Sequence, residues 1–160
     1  MSDLLVKLYD LPPSAPAIEA ARAAGVEIRR AIGPEKQAVA EWAAKNFSRG
    51  WAAECDVAMG SLPPSCFIAV RDGRLLGFAC YDATMKGFFG PIGVAPELRG
   101  KGAGKALLLR ALEAMREAGY GYAAVGWAGP VDFFRKAAGA VVIEGSEPGV
   151  YRGMVKAQPR

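Results

Sequence analysis

The chain contains no histidine. That absence removes the side chain that titrates nearest neutral pH, so imidazole general-base catalysis and His-ligated metal sites are both excluded. Only three cysteines occur, Cys55, Cys66 and Cys80; their number and uneven spacing fit neither a zinc site nor a disulfide framework, and a reducing cytoplasm is the expected compartment. No segment reaches the roughly 18 apolar residues that a membrane span requires, and the start of the chain, with Asp3 close behind Met1, has no basic leader. A soluble protein with no membrane partner and no metal is expected. Excess charge is also scarce: 20 Lys and Arg against 16 Asp and Glu give a net +4. The basic residues are dispersed and not interleaved with aromatics, which favours an acidic small molecule over nucleic acid.

What the chain does have is enough apolar material for one core, with 52% hydrophobic residues in a length of 160. Leu4 to Leu8 predict a short strand, broken by Pro12, Pro13 and Pro16, and Ala17 to Ala24 read as a small helix. Val26 to Ile32 form the next strand, and Pro34 opens a helix whose apolar face is Val39, Trp42, Ala43 and Phe47. A second helix covers Trp51 to Met59. Cys66 to Val70 and Leu75 to Tyr81 read as a hairpin turned at Asp72-Gly73, followed by a strand from Gly87 to Val94. Lys105 to Ala118 carries apolar residues at 107, 108, 111, 112 and 115, a helical stripe stopped by Gly119. Tyr120 to Gly126, Pro130 to Ala137, Ala140 to Glu144 and Tyr151 to Val155 complete a strand, helix, strand, strand order.

Between the strand ending at Val94 and the helix from Lys105 lies Arg99-Gly100-Lys101-Gly102-Ala103-Gly104. Glycines remove the side chains that hold a backbone away from an anion, and the helix behind them points its free N–H groups and positive dipole end at the loop. Arg99, Lys101 and Lys105 add cations at the same point. Two other phosphate loops fail here: a Walker A sequence would need glycine where Arg99 stands and a hydroxyl where Ala106 stands, and the dinucleotide fingerprint would need glycine in place of Lys105.

The pattern that fits is Arg/Gln-x-x-Gly-x-Gly/Ala. Preceded by Val94-Ala95-Pro96 and followed by Ala106-Leu107-Leu108, it resembles the acetyl-coenzyme A motif of the GNAT acyltransferase superfamily, over about residues 26 to 155. The resemblance implies a mixed, mostly antiparallel α/β sheet flanked by helices on both faces, with residues 1–25 as an N-terminal extension packed on a single domain of 26–160. It implies that Ile92, Gly93 and Val94 meet the pantetheine arm of acetyl-CoA and that Arg99, Gly100, Lys101, Gly102, Ala103, Gly104 and Lys105 meet its pyrophosphate. The family's Phe-Tyr-x-Lys segment near the cofactor sulfur corresponds to Phe133-Phe134-Arg135-Lys136, which assigns Phe133 and Lys136 to the cofactor. Trp127 is assigned to a wall of the channel.

The family often uses that tyrosine to reprotonate the departing thiolate, and Phe134 has no proton to give. The strand from Gly87 to Val94 also lacks the carboxylate base that many relatives carry there. Glu54, Asp82 and Tyr151, all expected on the rim of the acceptor groove, are the candidates for the missing proton chemistry. Cys80 reads as a buried strand cysteine rather than a nucleophile. The expected activity is transfer of an acetyl group from acetyl-CoA to a small-molecule or peptide amine by direct attack, with the Val94 N–H polarising the carbonyl. The alternative is a catalytically weak coenzyme A binding or regulatory module. Since relatives often dimerise, a homodimer is among the expected partners.

Overall fold

The computed structural model describes residues 1–158. A seven-stranded sheet runs through it in the order β2-β3-β4-β5-β6-β1-β7, formed by β1 (Leu4–Lys7), β2 (Glu27–Arg30), β3 (Cys66–Arg71), β4 (Arg74–Tyr81), β5 (Phe88–Val94), β6 (Tyr122–Val125) and β7 (Val141–Val142). All pairings are antiparallel except β5 with β6. The helices are α1 (Ala15–Ala23), α2 (Lys36–Asn46), α3 (Arg49–Met59), α4 (Ala103–Glu117) and α5 (Val131–Ala138).

Alternation along the strands sorts side chains onto two faces. In β3, Phe67 and Ala69 join a core with α1, α4 and α5, while Cys66 and Ile68 join a second core with α2 and α3. The mixed sheet with helices on both faces is therefore as expected. The central packing element is α4, whose Leu107, Leu108, Leu112 and Met115 are fully buried, each stabilising the fold by roughly 1.5–3 kcal/mol.

Two expectations need correction. No strand forms over 151–155: Gly149–Tyr151 make a single 3₁₀ turn, and positive φ at Gly149 (61°) and Gly153 (71°) bends the backbone away from extension. The place beside β6 is instead taken by β1, which pairs with β6 on one side and β7 on the other. Residues 1–25, expected as an extension packed on the domain, thus contribute a strand to the sheet itself, and Leu4 and Val6 are wholly buried there.

The sheet is not continuous along β5. Its pairing with β6 is confined to Phe88 with Ala124 and Phe89 with Val125, after which the two strands separate. At the same point the β4 pairing shifts, Ala79 facing Ile92 but Tyr81 facing Phe89, so two steps along β4 match three along β5. This bulge falls on Gly90-Pro91, where Pro91 has no N–H for a ladder.

Candidate cofactor and acceptor site

The fork between β5 and β6 leaves one edge of β5 unpaired. The Ala95 N–H donates to the Leu76 carbonyl at 2.8 Å, so in the antiparallel alternation the next pair, Gly77 with Val94, turns its backbone groups outward. Val94, and Ile92 two residues before it, therefore present N–H and C=O toward the side that β6 has vacated. A cavity of about 520 Å³ lies along this edge. Ile92, Gly93 and Val94 line it from β5, Arg99, Gly100 and Gly102 from the loop, and Gly104 and Lys105 from α4; Phe133 closes it from α5.

The loop is shaped for an anion by its backbone. Gly100 and Gly102 sit at φ of 76° and 85°, and Gly102 caps α4 in the left-handed conformation, which costs a side-chain-bearing residue about 1–2 kcal/mol. The first helical hydrogen bond runs from the Ala106 N–H to the Gly102 carbonyl. The Ala103, Gly104 and Lys105 N–H groups precede it and have no acceptor within the helix. Gly104 serves differently: a Cβ there would stand 3.7 Å from the Phe133 ring, inside the cavity.

Several sequence-assigned residues fall outside the cavity lining. The Ala103 side chain is buried in the core, leaving only its backbone for the loop, and Lys101 and Lys136 point to solvent. Trp127 is exposed and stacks on Tyr151, with ring centroids 4.0 Å apart. Leu98 and Pro130 also line the cavity and were not anticipated; no local motif marks them. Phe134 is buried, edge-on to Phe89 with centroids 6.1 Å apart.

On the opposite face, α2 and α3 press an aromatic block onto the sheet. Phe47 stacks on Trp51 with centroids 4.8 Å apart and lies directly over Gly93, where a Cβ would come within 2.5 Å of its ring. Only glycine at 93 lets the helices approach the strand this closely.

Two of the three candidate catalytic residues come together at the fork. The Thr84 hydroxyl donates to the Glu54 carboxylate from the loop after β4. Burial and the neighbouring Glu54 carboxylate push the Tyr151 hydroxyl above the usual phenol range, against a smaller opposing pull from Thr84. Tyr151 fits because residue 126 is glycine: a Cβ there would overlap the Tyr151 hydroxyl and stand 3.2 Å from the Phe88 ring. The stacked Trp127 is held at φ 47° with its N–H donating to the buried Asp3 carboxylate at 3.1 Å.

Asp82 is engaged elsewhere. Its carboxylate accepts from the Gly87 N–H at 2.8 Å and the Tyr120 hydroxyl at 3.0 Å, closing the loop that leads into β5. Cys80 is wholly buried, and its contacts with the Cys55 and Cys66 thiols together with that burial push its own thiol well above the usual range, which removes it as a nucleophile. Among the described residues no cluster of potential ligands could hold a metal ion, and no helix is long and apolar enough to cross a membrane.

A sequence model of the acetyltransferase (GNAT) family matches residues 36–139, from the start of α2 to the end of α5. The chain belongs to the GNAT acetyltransferase family. Solved GNAT structures share its fold. A GCN5-related glucosamine N-acetyltransferase region of a fungal multidomain GH3 β-N-acetylglucosaminidase superimposes over 89% of the chain with a TM-score of 0.71 and 16% identity. A GCN5-related N-acetyltransferase from Sphaerobacter thermophilus does so over 89% with a TM-score of 0.66 and 21% identity. The chain spans only 19% and 48% of those two proteins. A GNAT acetyltransferase from Brucella melitensis, solved with acetyl-CoA, is covered over 86% of its length and covers 74% of this chain at a TM-score of 0.50 and 21% identity. Among curated proteins none matches. The residues present in this GNAT domain fit such a cofactor: an outward-facing strand edge suits an amide-bearing arm, and unpartnered helix amides with adjacent Arg99 and Lys105 suit a pyrophosphate.

Proposed function

We propose that the chain transfers an acetyl group from acetyl-CoA to the amine of a small-molecule or peptide acceptor, by direct attack within a ternary complex. The observation that supports this most is the fork, because the cavity follows the open edge of β5 while Glu54, Thr84 and Tyr151 gather where that edge begins. Acetyl-CoA supplies the activated acyl group as a thioester. The outward N–H groups of Ile92 and Val94 orient the arm and polarise the carbonyl, and the loop amides with Arg99, Lys101 and Lys105 hold the pyrophosphate.

Glu54 receives the ammonium of the acceptor and takes its proton, which frees the nitrogen lone pair to form the C–N bond as the C–S bond breaks. Tyr151, a phenol protonated at neutral pH whose pKa is raised further by burial and Glu54, gives its hydroxyl proton to the departing sulfur. Thr84, bonded to Glu54 and beside Tyr151, offers the path by which the proton held by Glu54 returns to the phenolate, and the second proton of the former ammonium leaves to water once the C–N bond has formed, so protons balance over the cycle. Asp82 contributes by fixing the entry to β5, and Trp127 walls the channel behind Tyr151. The three buried thiols suit a reducing cytoplasm, where we place the activity.

The test is a panel of amines, amino acids and peptides assayed for coenzyme A release together with the mass of the acetylated product. Both signals with one acceptor class support the reading. Binding of acetyl-CoA with neither signal across the panel would favour the coenzyme A binding module, the reading that Phe134 supports by standing where the family often has its tyrosine.

A further inference from the structure

Asp3 takes no part in the proton transfers, yet it is a buried carboxylate, only 6% exposed, standing just ahead of β1. Among the described residues no ammonium or guanidinium pairs with it. A carboxylate taken out of water without a cation is costly unless donors compensate it, so its contacts carry its purpose. One oxygen accepts from the Trp127 N–H at 3.1 Å. The other lies against Gly149, where a Cβ would stand 3.1 Å from it.

Both contacts lead to the Tyr151 ring. Trp127 is held at φ 47°, a left-handed conformation that residues with a side chain keep only where their surroundings fix it, and the Asp3 bond falls on the N–H of that same residue. Its indole then stacks on Tyr151 with centroids 4.0 Å apart. Gly149 opens the 3₁₀ turn that ends at Tyr151. The Asp3 backbone grips the segment leading into that turn as well: its N–H donates to the Ser146 hydroxyl at 2.8 Å, and its carbonyl accepts from the Ile143 N–H at 2.9 Å. One residue thus ties together the loop after β6 and the 143–151 segment, the two pieces of chain that carry the stacked pair.

We infer that Asp3 is a positioning residue for acetyl transfer, fixing where the Tyr151 hydroxyl stands through Trp127 and the Gly149–Tyr151 turn. The inference rests on the proposed role of Tyr151 as the acid. Asp3 is absent from the lining of the cofactor cavity, so its effect should fall on the chemical step and spare cofactor binding.

The test is a double-mutant cycle in single-turnover acetyl transfer, using the amine that the panel identifies, with acetyl-CoA affinity followed by calorimetry. Asp3→Ala should slow transfer roughly tenfold or more at unchanged acetyl-CoA affinity, and the same substitution added to Tyr151→Phe should cost nothing further, because the hydroxyl it positions is gone. Asp3→Asn keeps an oxygen for the Trp127 N–H and should recover most of the lost rate. A wild-type rate in Asp3→Ala, or the same slowing with and without the Tyr151 hydroxyl, overturns the assignment. Thermal unfolding checks the fold; if Asp3→Ala does not fold, Asp3→Ser, which keeps a small polar group in the buried place but draws its oxygen back from Trp127, takes its position in the cycle. A Tyr151→Phe variant as fast as the wild type would instead sink the acid reading, an outcome separate from a slow Tyr151→Phe whose loss Asp3→Ala does not share.

Discussion

Gly126 and Tyr151 occupy one space between them: the tyrosine hydroxyl stands where a Cβ on residue 126 would be. Gly126→Ala should therefore expel the Tyr151 ring from the fork. If that hydroxyl is the acid, single-turnover acetyl transfer should fall by roughly 10²-fold or more, as in Tyr151→Phe, with acetyl-CoA affinity preserved. An unchanged rate in both variants would remove Tyr151 from the chemistry.

The pH profile gives an independent reading of the same residue. An acid works in its protonated form, and the folded-state pKa of Tyr151 lies above the ordinary value of 10.0. Transfer should hold through neutral pH and fall only as pH rises beyond that ordinary value, and Tyr151→Phe should lose this alkaline limb. Glu54→Gln should instead lower the single-turnover rate at neutral pH by roughly 10²-fold or more while leaving this alkaline limb in place.

Cofactor affinity should depend on the loop glycines for two different reasons. Gly102→Val forces a β-branched residue into φ 85° at the start of α4, distorting the amides that would face the pyrophosphate. Gly104→Val keeps an ordinary helical backbone but places its side chain toward Phe133 within the cavity. Calorimetry with acetyl-CoA should show at least a tenfold loss for either, and a wild-type affinity in both would contradict the loop assignment.

Asp82→Asn separates a structural role from a chemical one. With Asp82 bonded to Gly87 and Tyr120, the substitution should lower the urea midpoint by an amount corresponding to about 1–3 kcal/mol. The shape of the activity profile against pH should remain that of the wild type.

A carboxylate away from the site supplies an acid-stability prediction. Glu35 accepts two bonds from Arg29, at 2.8 and 2.7 Å, and one from the Ile32 N–H at 2.9 Å, and the Arg29 bonds hold its pKa below the ordinary 4.5. A lowered folded-state pKa stabilises above the ordinary value and ceases to do so as pH falls through the lowered one. Glu35→Gln should cost about 1 kcal/mol or less in urea unfolding at pH 7, since both partners are partly exposed, and the difference should vanish in acid below the lowered pKa.

The glycine-rich loop and α4 were legible because their signals are local: glycine spacing and one apolar stripe suffice. The fork was half legible. Gly90-Pro91 inside an otherwise strand-like run is the mark of a bulge, since proline cannot donate to a central ladder, but the separation of β6 is a tertiary fact. Tyr151 was picked out from the start of an expected strand that the glycines at 149 and 153 prevent. The place of β1 was not readable at all, because Leu4 and Val6 announce a buried strand without saying between which neighbours.

That place bears on the order in which the molecule forms. During synthesis residues 4–7 emerge long before either of the strands they will separate, β6 at Tyr122–Val125 and β7 at Val141–Val142. They can pair there only once β6 and β7 have been made, and closing a loop of that length is a non-local, entropically costly step. Until it is taken, Asp3 cannot hold Trp127 and the tyrosine beside the fork has no stacking partner fixed behind it. The stacked pair of Trp127 and Tyr151 would thus settle only after β1 has found its place between β6 and β7.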